Sequence, residues 1–325
     1  MPGMNQRKAS ILITGGSGYI GGRLALHFTN AGYHVRLTAF NSTQRQGLIL
    51  NNAELIRLDL ESNESCRLAC IGMDDVVHCA ALNENECEED PEAAVRVNTL
   101  GTSKLVRAAE EAGARRFIYF STAHVYGAPL RGRIDERTLT HPVHPYASTH
   151  RAAEDFVVEA HARGLLSGIV VRLSNAFGWP VHKNIHRWTL LVNDLCRQAI
   201  ENRQLVLRTS GTQERDFVTI FDVCRGIDHL LSLDERSLTE RIFNLGGMAS
   251  ISILEMATRI ASHCESRLGY RPPIERPLPS PNEQVEGLDY RIDRILATGF
   301  LLRGNADEEI SELLRRCKDW FGRCS

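Results

Sequence analysis

Ser10-Ile-Leu-Ile-Thr-Gly-Gly-Ser-Gly-Tyr-Ile-Gly-Gly22, followed by Arg23 to Ala31, is the stretch that organises the chain. Ile11, Leu12 and Ile13 make an apolar run of the length of a buried strand. The run breaks at glycines, and Ile20, Leu24, Phe28 and Ala31 then recur at helical spacing. A strand, a tight glycine turn and a helix bring a diphosphate to a helix N-terminus, where unpaired N–H groups and the positive dipole end face its charge. Gly15, Gly18 and Gly21 stand three apart, as Gly-x-x-Gly-x-x-Gly rather than the commoner Gly-x-Gly-x-x-Gly. They let the turn tighten, the backbone approach a pyrophosphate and the helix pack on the strand. The stretch predicts a dinucleotide-binding unit with Gly15, Gly18 and Gly21 at the cofactor.

Beyond it, His34–Phe40, Glu54–Leu58, Asp75–Cys79, Arg116–Ser121 and Gly168–Ser174 read as strands. Helical patterns alternate with them, clearest over Glu92–Ala112 and Pro145–Arg163. This rhythm predicts an α/β fold, a doubly wound parallel sheet with helices on both faces. Ligands in such sheets bind beyond the carboxyl ends of the strands. After the second strand, Asn41 to Arg45 lacks the carboxylate that holds the adenosine ribose of NAD. Ser42 and Arg45 suit a 2′-phosphate, which tilts the reading from NAD towards NADP, while a surface role for Arg45 stays open. After the third strand, Asp59 and Leu60 are placed to meet an adenine amino group, or Asp59 caps a helix. After the fourth, Cys79-Ala80-Ala81 is small enough for a dinucleotide to lie close. The acidic run Asn83 to Asp90 then reads either as a solvated loop entering a helix at Pro91 or as a carboxylate lip facing a substrate.

A chain of 325 residues supports one large α/β unit or a main domain with a smaller lobe. A hydrophobic content of 43% and a net charge of −2 carry no basic excess that would point to nucleic acid. No apolar run reaches membrane-spanning length, and Met1 to Lys8 lacks the apolar core of a signal peptide. Nine cysteines without a Cys-x-x-Cys pair read as reduced thiols of a cytoplasmic protein. His182 and His186 have metal-ligand spacing but no third ligand, so the stretch to Trp188 reads as a phosphate-facing or surface patch and no metal is expected.

Thr122 ends the fifth strand in Ser121-Thr-Ala-His-Val-Tyr-Gly127, and Tyr146 opens a helix in His144-Pro-Tyr-Ala-Ser-Thr-His150. A hydroxyl at a strand end with a tyrosine about two dozen residues on is a proton-transfer arrangement, and Tyr146 and His150 share one helix face. At these residues the chain resembles the extended short-chain dehydrogenase/reductases, the branch rich in nucleotide-sugar epimerases, dehydratases and reductases. Thr14 to Gly21 is similar to that family's cofactor loop. Asn98 resembles its helix asparagine, and Ser121 to Gly127 its active-site hydroxyl segment. Val171 to Gly178 is similar to the segment whose asparagine meets the nucleotide diphosphate. Arg215-Asp-Phe-Val218 with Asp222-Val223 resembles its return into the cofactor domain.

The resemblance implies catalytic roles for Thr122, Tyr146, His150 and Asn98. It places Gly15, Gly18, Tyr19, Ile20, Asn41, Arg45, Asp59, Leu60, Ala80, Tyr146 and His150 at an NAD or NADP cofactor, and His124, Asn175 and Arg215 at a nucleotide-sugar substrate. The dinucleotide domain is expected over 1–178 and 214–247, with a substrate lobe over 179–213 and 248–325, in a homodimer. One position departs from the pattern: the family's Tyr-x-x-x-Lys is Tyr146-x-x-x-His150 here. The family's lysine binds the nicotinamide ribose and acidifies the tyrosine. An ordinary imidazole loses its charge near pH 6.5 and would support a phenolate less and less as pH rises. Ala123-His124 replaces the acid pair of the family's 4,6-dehydratases, which disfavours dehydration. The implied activity is an epimerase or ketoreductase on a nucleotide-activated sugar, set against a catalytically weak dinucleotide-binding sensor or scaffold.

Overall fold

The computed structural model describes residues 9–40, 50, 53–185, 187–235, 238–281, 283 and 286–322. Seven parallel strands form its main sheet: β1 (Ser10–Thr14), β2 (His34–Ala39), β3 (Ala53–Arg57), β4 (Asp75–His78), β5 (Arg116–Thr122), β6 (Ser167–Leu173) and β7 (Ile242–Leu245). Their spatial order is β7-β6-β5-β4-β1-β2-β3. The order reverses between β1 and β4, and the crevice outside that point is where doubly wound sheets bind ligands. The expected strands agree to within a residue or so at each end, and β7 adds an edge that sequence periodicity did not single out.

The sheet is buried on both faces, which explains its near-continuous apolar strands. Ile11, Ile13, Leu37, Val77, Ile118 and Val171 point to one core, and Leu12, Val76, Phe117, Tyr119 and Val170 to the other. That period-two division sends successive residues to opposite layers. The helices Tyr19–Asn30 and Ile220–Ser232 cover the first face. Asn63–Cys70, Thr102–Glu111 and Pro145–Ala162 cover the second. Each fully buried Ile or Leu contributes about 1.5–3 kcal/mol, so the layers hold the strand ends rigidly.

A small sheet of Asn175–Phe177, Glu214–Thr219 and Ser250–Ser252 leads out to the remaining lobe. There the helices Leu191–Glu201, Ile253–Leu268 and Ala306–Phe321 pack together. Ile310, Leu313 and Leu314 of the last helix are buried, and Phe321 lies edge-on to Trp188 at 5.1 Å between ring centres. All eight described cysteines are free thiols. No described helix is long and apolar enough to cross a membrane.

Candidate active site

β1 delivers the chain to Gly15, whose φ of +65° is the left-handed region that favours glycine. A Cβ there would also meet the Ala80 backbone at 3.0 Å. Gly21 packs so closely that its Cβ would lie 2.3 Å from the Gly15 carbonyl. Gly18 differs from both: a Cβ would meet only the Gly15 oxygen, at 3.1 Å, and Gly18 borders a cavity. The Gly18 N–H donates to Gly15 O at 2.8 Å, closing the turn. Thr14 Oγ1 accepts from the N–H groups of Cys79 and Ala80, both at 3.1 Å, which ties the turn to the end of β4. The Tyr19 hydroxyl is turned into the protein, donating to Gly178 O at 3.0 Å, so Tyr19 has its backbone and ring edge to offer a cofactor. Ile20, Asp59, Leu60 and Ala80 border the same cavity, whereas Asn41 and Arg45 lie outside the described residues.

The cavity encloses about 1010 Å³ and runs from the glycine turn along the carboxyl ends of the strands, past Thr122, Tyr146 and His150, to Asn175, Arg208 and Arg215. Its volume is at the upper end for small-ligand sites. A dinucleotide fits this cradle: Gly18, the N-cap of the helix Tyr19–Asn30, borders the cavity with bare backbone at the helix N-terminus, where a diphosphate is favoured.

Thr122 is the last residue of β5 and is buried. Tyr146 is the second residue of the helix Pro145–Ala162, whose start is set by Pro145 and by His144 Nδ1 accepting the Tyr146 N–H at 3.1 Å. Both side chains border the same cavity, and Thr122 Oγ1 accepts the His124 N–H at 3.2 Å. Burial raises the Tyr146 phenol above its ordinary range, and the Glu84 carboxylate adds to this; Arg187 and the Thr122 hydroxyl oppose it.

His150 is buried one turn further on, its ring centre 4.2 Å from that of Tyr146. Its Nδ1 lies 2.9 Å from the Tyr146 carbonyl oxygen. A carbonyl only accepts, so Nδ1 carries the proton and Nε2 is left as an acceptor. Burial pushes the imidazole down to about 4, against a smaller upward pull from the Tyr146 carbonyl and Glu84. The expected loss of charge near pH 6.5 is therefore corrected: the ring lies inside the protein and is neutral throughout the physiological range.

Asn98 sits in a π-helical stretch, Val95–Gly101, and is buried. Its Oδ1 accepts from Leu82 N at 2.8 Å, and its Nδ2 donates to Thr149 Oγ1 at 3.2 Å. It thus joins the segment after β4 to the Tyr146 helix without touching the Tyr146 phenol. A second brace lies beneath the site. Glu154 accepts from Ser121 Oγ at 2.6 Å and takes Arg172 in a two-pronged bond at 2.9 and 2.6 Å. Arg172 also donates to Tyr126 Oη at 2.9 Å, which donates to Asn244 at 2.7 Å. This network, which sequence reasoning missed, fixes the strand of Thr122 against the helix of Tyr146.

On the substrate side, Asn175 Nδ2 donates to Asp216 O at 3.0 Å while Asn175 borders the cavity. Arg215 borders it too, has no ion-pair partner among the described residues, and has its pKa lowered by burial. His124 opens onto the cavity beside Thr122. Of the stretch His182 to Trp188, His182 is buried and donates from Nε2 to Ser17 O of the glycine turn at 3.3 Å, Arg187 borders the cavity, and His186 lies outside the described residues. No group of three metal-ligating side chains occurs among the described residues. The acidic run is mostly helix caps: Asn83 and Glu86 form a capping box, and Asp90 caps the next turn. Glu84 is the exception, paired with Arg187 at 2.7 and 3.2 Å.

A doubly wound sheet, a glycine turn at its switch point and a Thr–Tyr–His group in the crevice define a dinucleotide-binding α/β protein of short-chain dehydrogenase type. The chain belongs to the NAD dependent epimerase/dehydratase family, whose model matches residues 11–246. It is 31% identical over 210 residues to a mouse dTDP-D-glucose 4,6-dehydratase, a match that covers 60% of this chain and 56% of the mouse protein. It is 30% identical over 275 residues to the UDP-glucose 4-epimerase of Streptomyces lividans, covering 78% of this chain and 81% of that one. MoeE5, solved in complex with UDP-glucose and NAD, superposes with a TM-score of 0.79 at 25% identity, covering 96% of this chain and all of MoeE5.

Proposed function

We propose that this protein is an NAD-dependent epimerase or ketoreductase acting on a nucleotide-activated sugar. The observation that carries the reading is that Thr122 and Tyr146 border one cavity together with the glycine turn and Arg215, which has no ion-pair partner among the described residues. Tyr146 exchanges a proton with a sugar hydroxyl, taken as that at C4, and Thr122 hydrogen-bonds the same oxygen. The cofactor, when bound, accepts hydride from that carbon or gives it. His150 meets the nicotinamide ribose through Nε2 as an acceptor from a ribose hydroxyl. Asn175 and Arg215 hold the diphosphate end of the substrate. Asn98 and Glu154 hold the reaction centre in register.

The division into a dinucleotide unit (1–178, 214–247) and a substrate lobe (179–213, 248–325) is supported by β7 joining the main sheet and by the helical packing of the lobe. NAD is favoured over NADP by the MoeE5 complex with NAD. An epimerase or ketoreductase is favoured over a dehydratase because Ala123 and His124 offer no carboxylic acid beside Thr122. The test is to incubate the purified protein with UDP-glucose, UDP-glucuronic acid and dTDP-glucose, with NAD or NADPH, and to resolve products by NMR. A C4 epimer or a reduced sugar is expected; loss of the C6 oxygen, or no turnover with cofactor bound, overturns the reading.

A further inference from the structure

A neutral His150 brings no positive charge to Tyr146, although the lysine it replaces would. A cation does stand in the same cavity: Arg187, in the segment before the helix Leu191–Glu201, is bonded to the helix Glu84–Glu89, which packs against the Tyr146 helix Pro145–Ala162. Arg187 meets Glu84, the first residue of the short helix Glu84–Glu89, with Nη1 at 2.7 Å from Oε2 and Nη2 at 3.2 Å from Oε1. A two-pronged bond of this kind holds the guanidinium plane in one orientation. Both side chains border the cavity with Tyr146 and His150. They are 26% and 40% exposed, so their fields reach Tyr146 with part of the solvent screening removed.

The other titratable groups around Tyr146 are Cys87 from the same short helix, Tyr119 from the middle of β5, His124 beside Thr122, His144 at the start of its own helix and His150 one turn on. Burial pushes the Cys87 thiol up to about 11 and the His150 imidazole down to about 4, so neither carries charge near neutral pH. Glu84 and Arg187 are the carboxylate and guanidinium of this group.

Building on the proton-transfer role of Tyr146, we propose that the Glu84–Arg187 pair sets the acidity of its phenol. Arg187 supplies the positive charge that the family's lysine would supply, and Glu84 both holds the guanidinium and opposes it. A cation favours the phenolate and an anion disfavours it, so the two partners push in opposite directions. They come from segments about a hundred residues apart, so the balance at Tyr146 depends on the bond that joins them.

The test is 19F NMR on protein labelled with 3-fluorotyrosine and saturated with NAD. The chain has seven tyrosines, and the resonance absent from Tyr146→Phe identifies Tyr146. Fluorination acidifies the phenol and brings its titration into an accessible range. Arg187→Gln is expected to raise the Tyr146 midpoint, on the order of tenfold in ionisation constant, and Glu84→Gln to lower it. Arg187→Lys should stay near wild type. The alkaline limb of any pH–rate profile should move with each midpoint. Midpoints that stay within 0.2 of wild type in both glutamine variants, a threshold of roughly a 1.6-fold change, overturn the proposal. The titration needs no turnover, so failure of every sugar to react would count against the proposed activity alone.

Discussion

His150 Nδ1 lies 2.9 Å from the carbonyl oxygen of Tyr146, four residues back on the same helix. One bond between a ring and its own helix backbone thereby decides the tautomer, and with it the chemistry that the side chain shows a ligand. A lysine at this position would donate to a ribose and carry charge. The neutral imidazole carries none, and under the proposed function it would accept from a ribose hydroxyl through Nε2.

The pH dependence of turnover follows. With His150 pushed down to about 4, no loss of its charge falls between pH 6 and 8, and activity in the direction that needs the phenolate should rise steadily across that range. His150→Ala should weaken cofactor binding, on the order of tenfold for one lost hydrogen bond, with a smaller effect on the bound enzyme. His150→Lys should keep or raise turnover above neutrality. A pH–rate profile that falls between pH 6 and 7 in wild type but not in His150→Lys would contradict this.

Folding stability should also respond to acid through the two histidines buried at the sheet. His78 is pushed down to about 3 and His150 to about 4, in both cases by burial first. Their folded pKa values lie below the unfolded value of about 6.5, so the unfolded chain takes up protons that the folded chain refuses. This stabilisation is whole above about pH 6.5 and is lost as pH falls towards 4, by roughly 3 kcal/mol for His150 alone. Denaturant melts at intervals from pH 7.5 to 4.5 should show the decline, and His150→Gln should flatten it. Equal slopes for both proteins would show that the ring is not buried neutral.

The glycines of the turn should separate binding from folding. Gly18 borders the cavity and a Cβ there would meet the Gly15 oxygen alone, so Gly18→Val should abolish dinucleotide binding with little effect on the melt. Gly21→Val drives a Cβ onto the Gly15 carbonyl and should cost roughly 1–3 kcal/mol of stability as well. Calorimetric titration with NAD beside thermal melts distinguishes them. Wild-type affinity in Gly18→Val would remove the diphosphate from this turn.

The brace beneath the site is expected to matter for folding as much as for rate. Glu154 is fully buried and its carboxylate faces Arg172 and Ser121. Glu154→Ala leaves the Arg172 charge uncompensated and should destabilise by roughly 3–5 kcal/mol. A denaturant midpoint within about 0.5 kcal/mol of wild type would show that water or a rearranged side chain replaces the carboxylate.

Much of this fold is written locally. Ile11 to Ile13, the three glycines and the period of the helix after them announce β1, the turn and the first helix, because each rests on near-neighbour sterics. Thr122 and Tyr146 are likewise visible from a strand end and a helix start. What was not legible depends on the third dimension. Glu84 is one carboxylate in an acidic run and Arg187 one cation in a basic patch, until folding brings them together. Glu154 and Arg172 look like surface charges in a periodic helix and an apolar strand, yet both are buried. The His150 proton depends on a ring angle that spacing alone does not give. The strand Ile242–Leu245, among the described strands, pairs with β6 some seventy residues earlier, and its four residues are too few for a period to mark them.

The most direct test of the account is the turnover of Tyr146→Phe beside wild type, on whichever nucleotide sugar the wild type converts, with NAD affinity measured on both by calorimetry. Phenylalanine keeps the ring against His150 and removes only the phenol hydroxyl. NAD should bind within a few-fold of wild type and turnover should fall by about 10²–10⁴-fold, the range for removing a general acid–base. Undiminished turnover in Tyr146→Phe would contradict it.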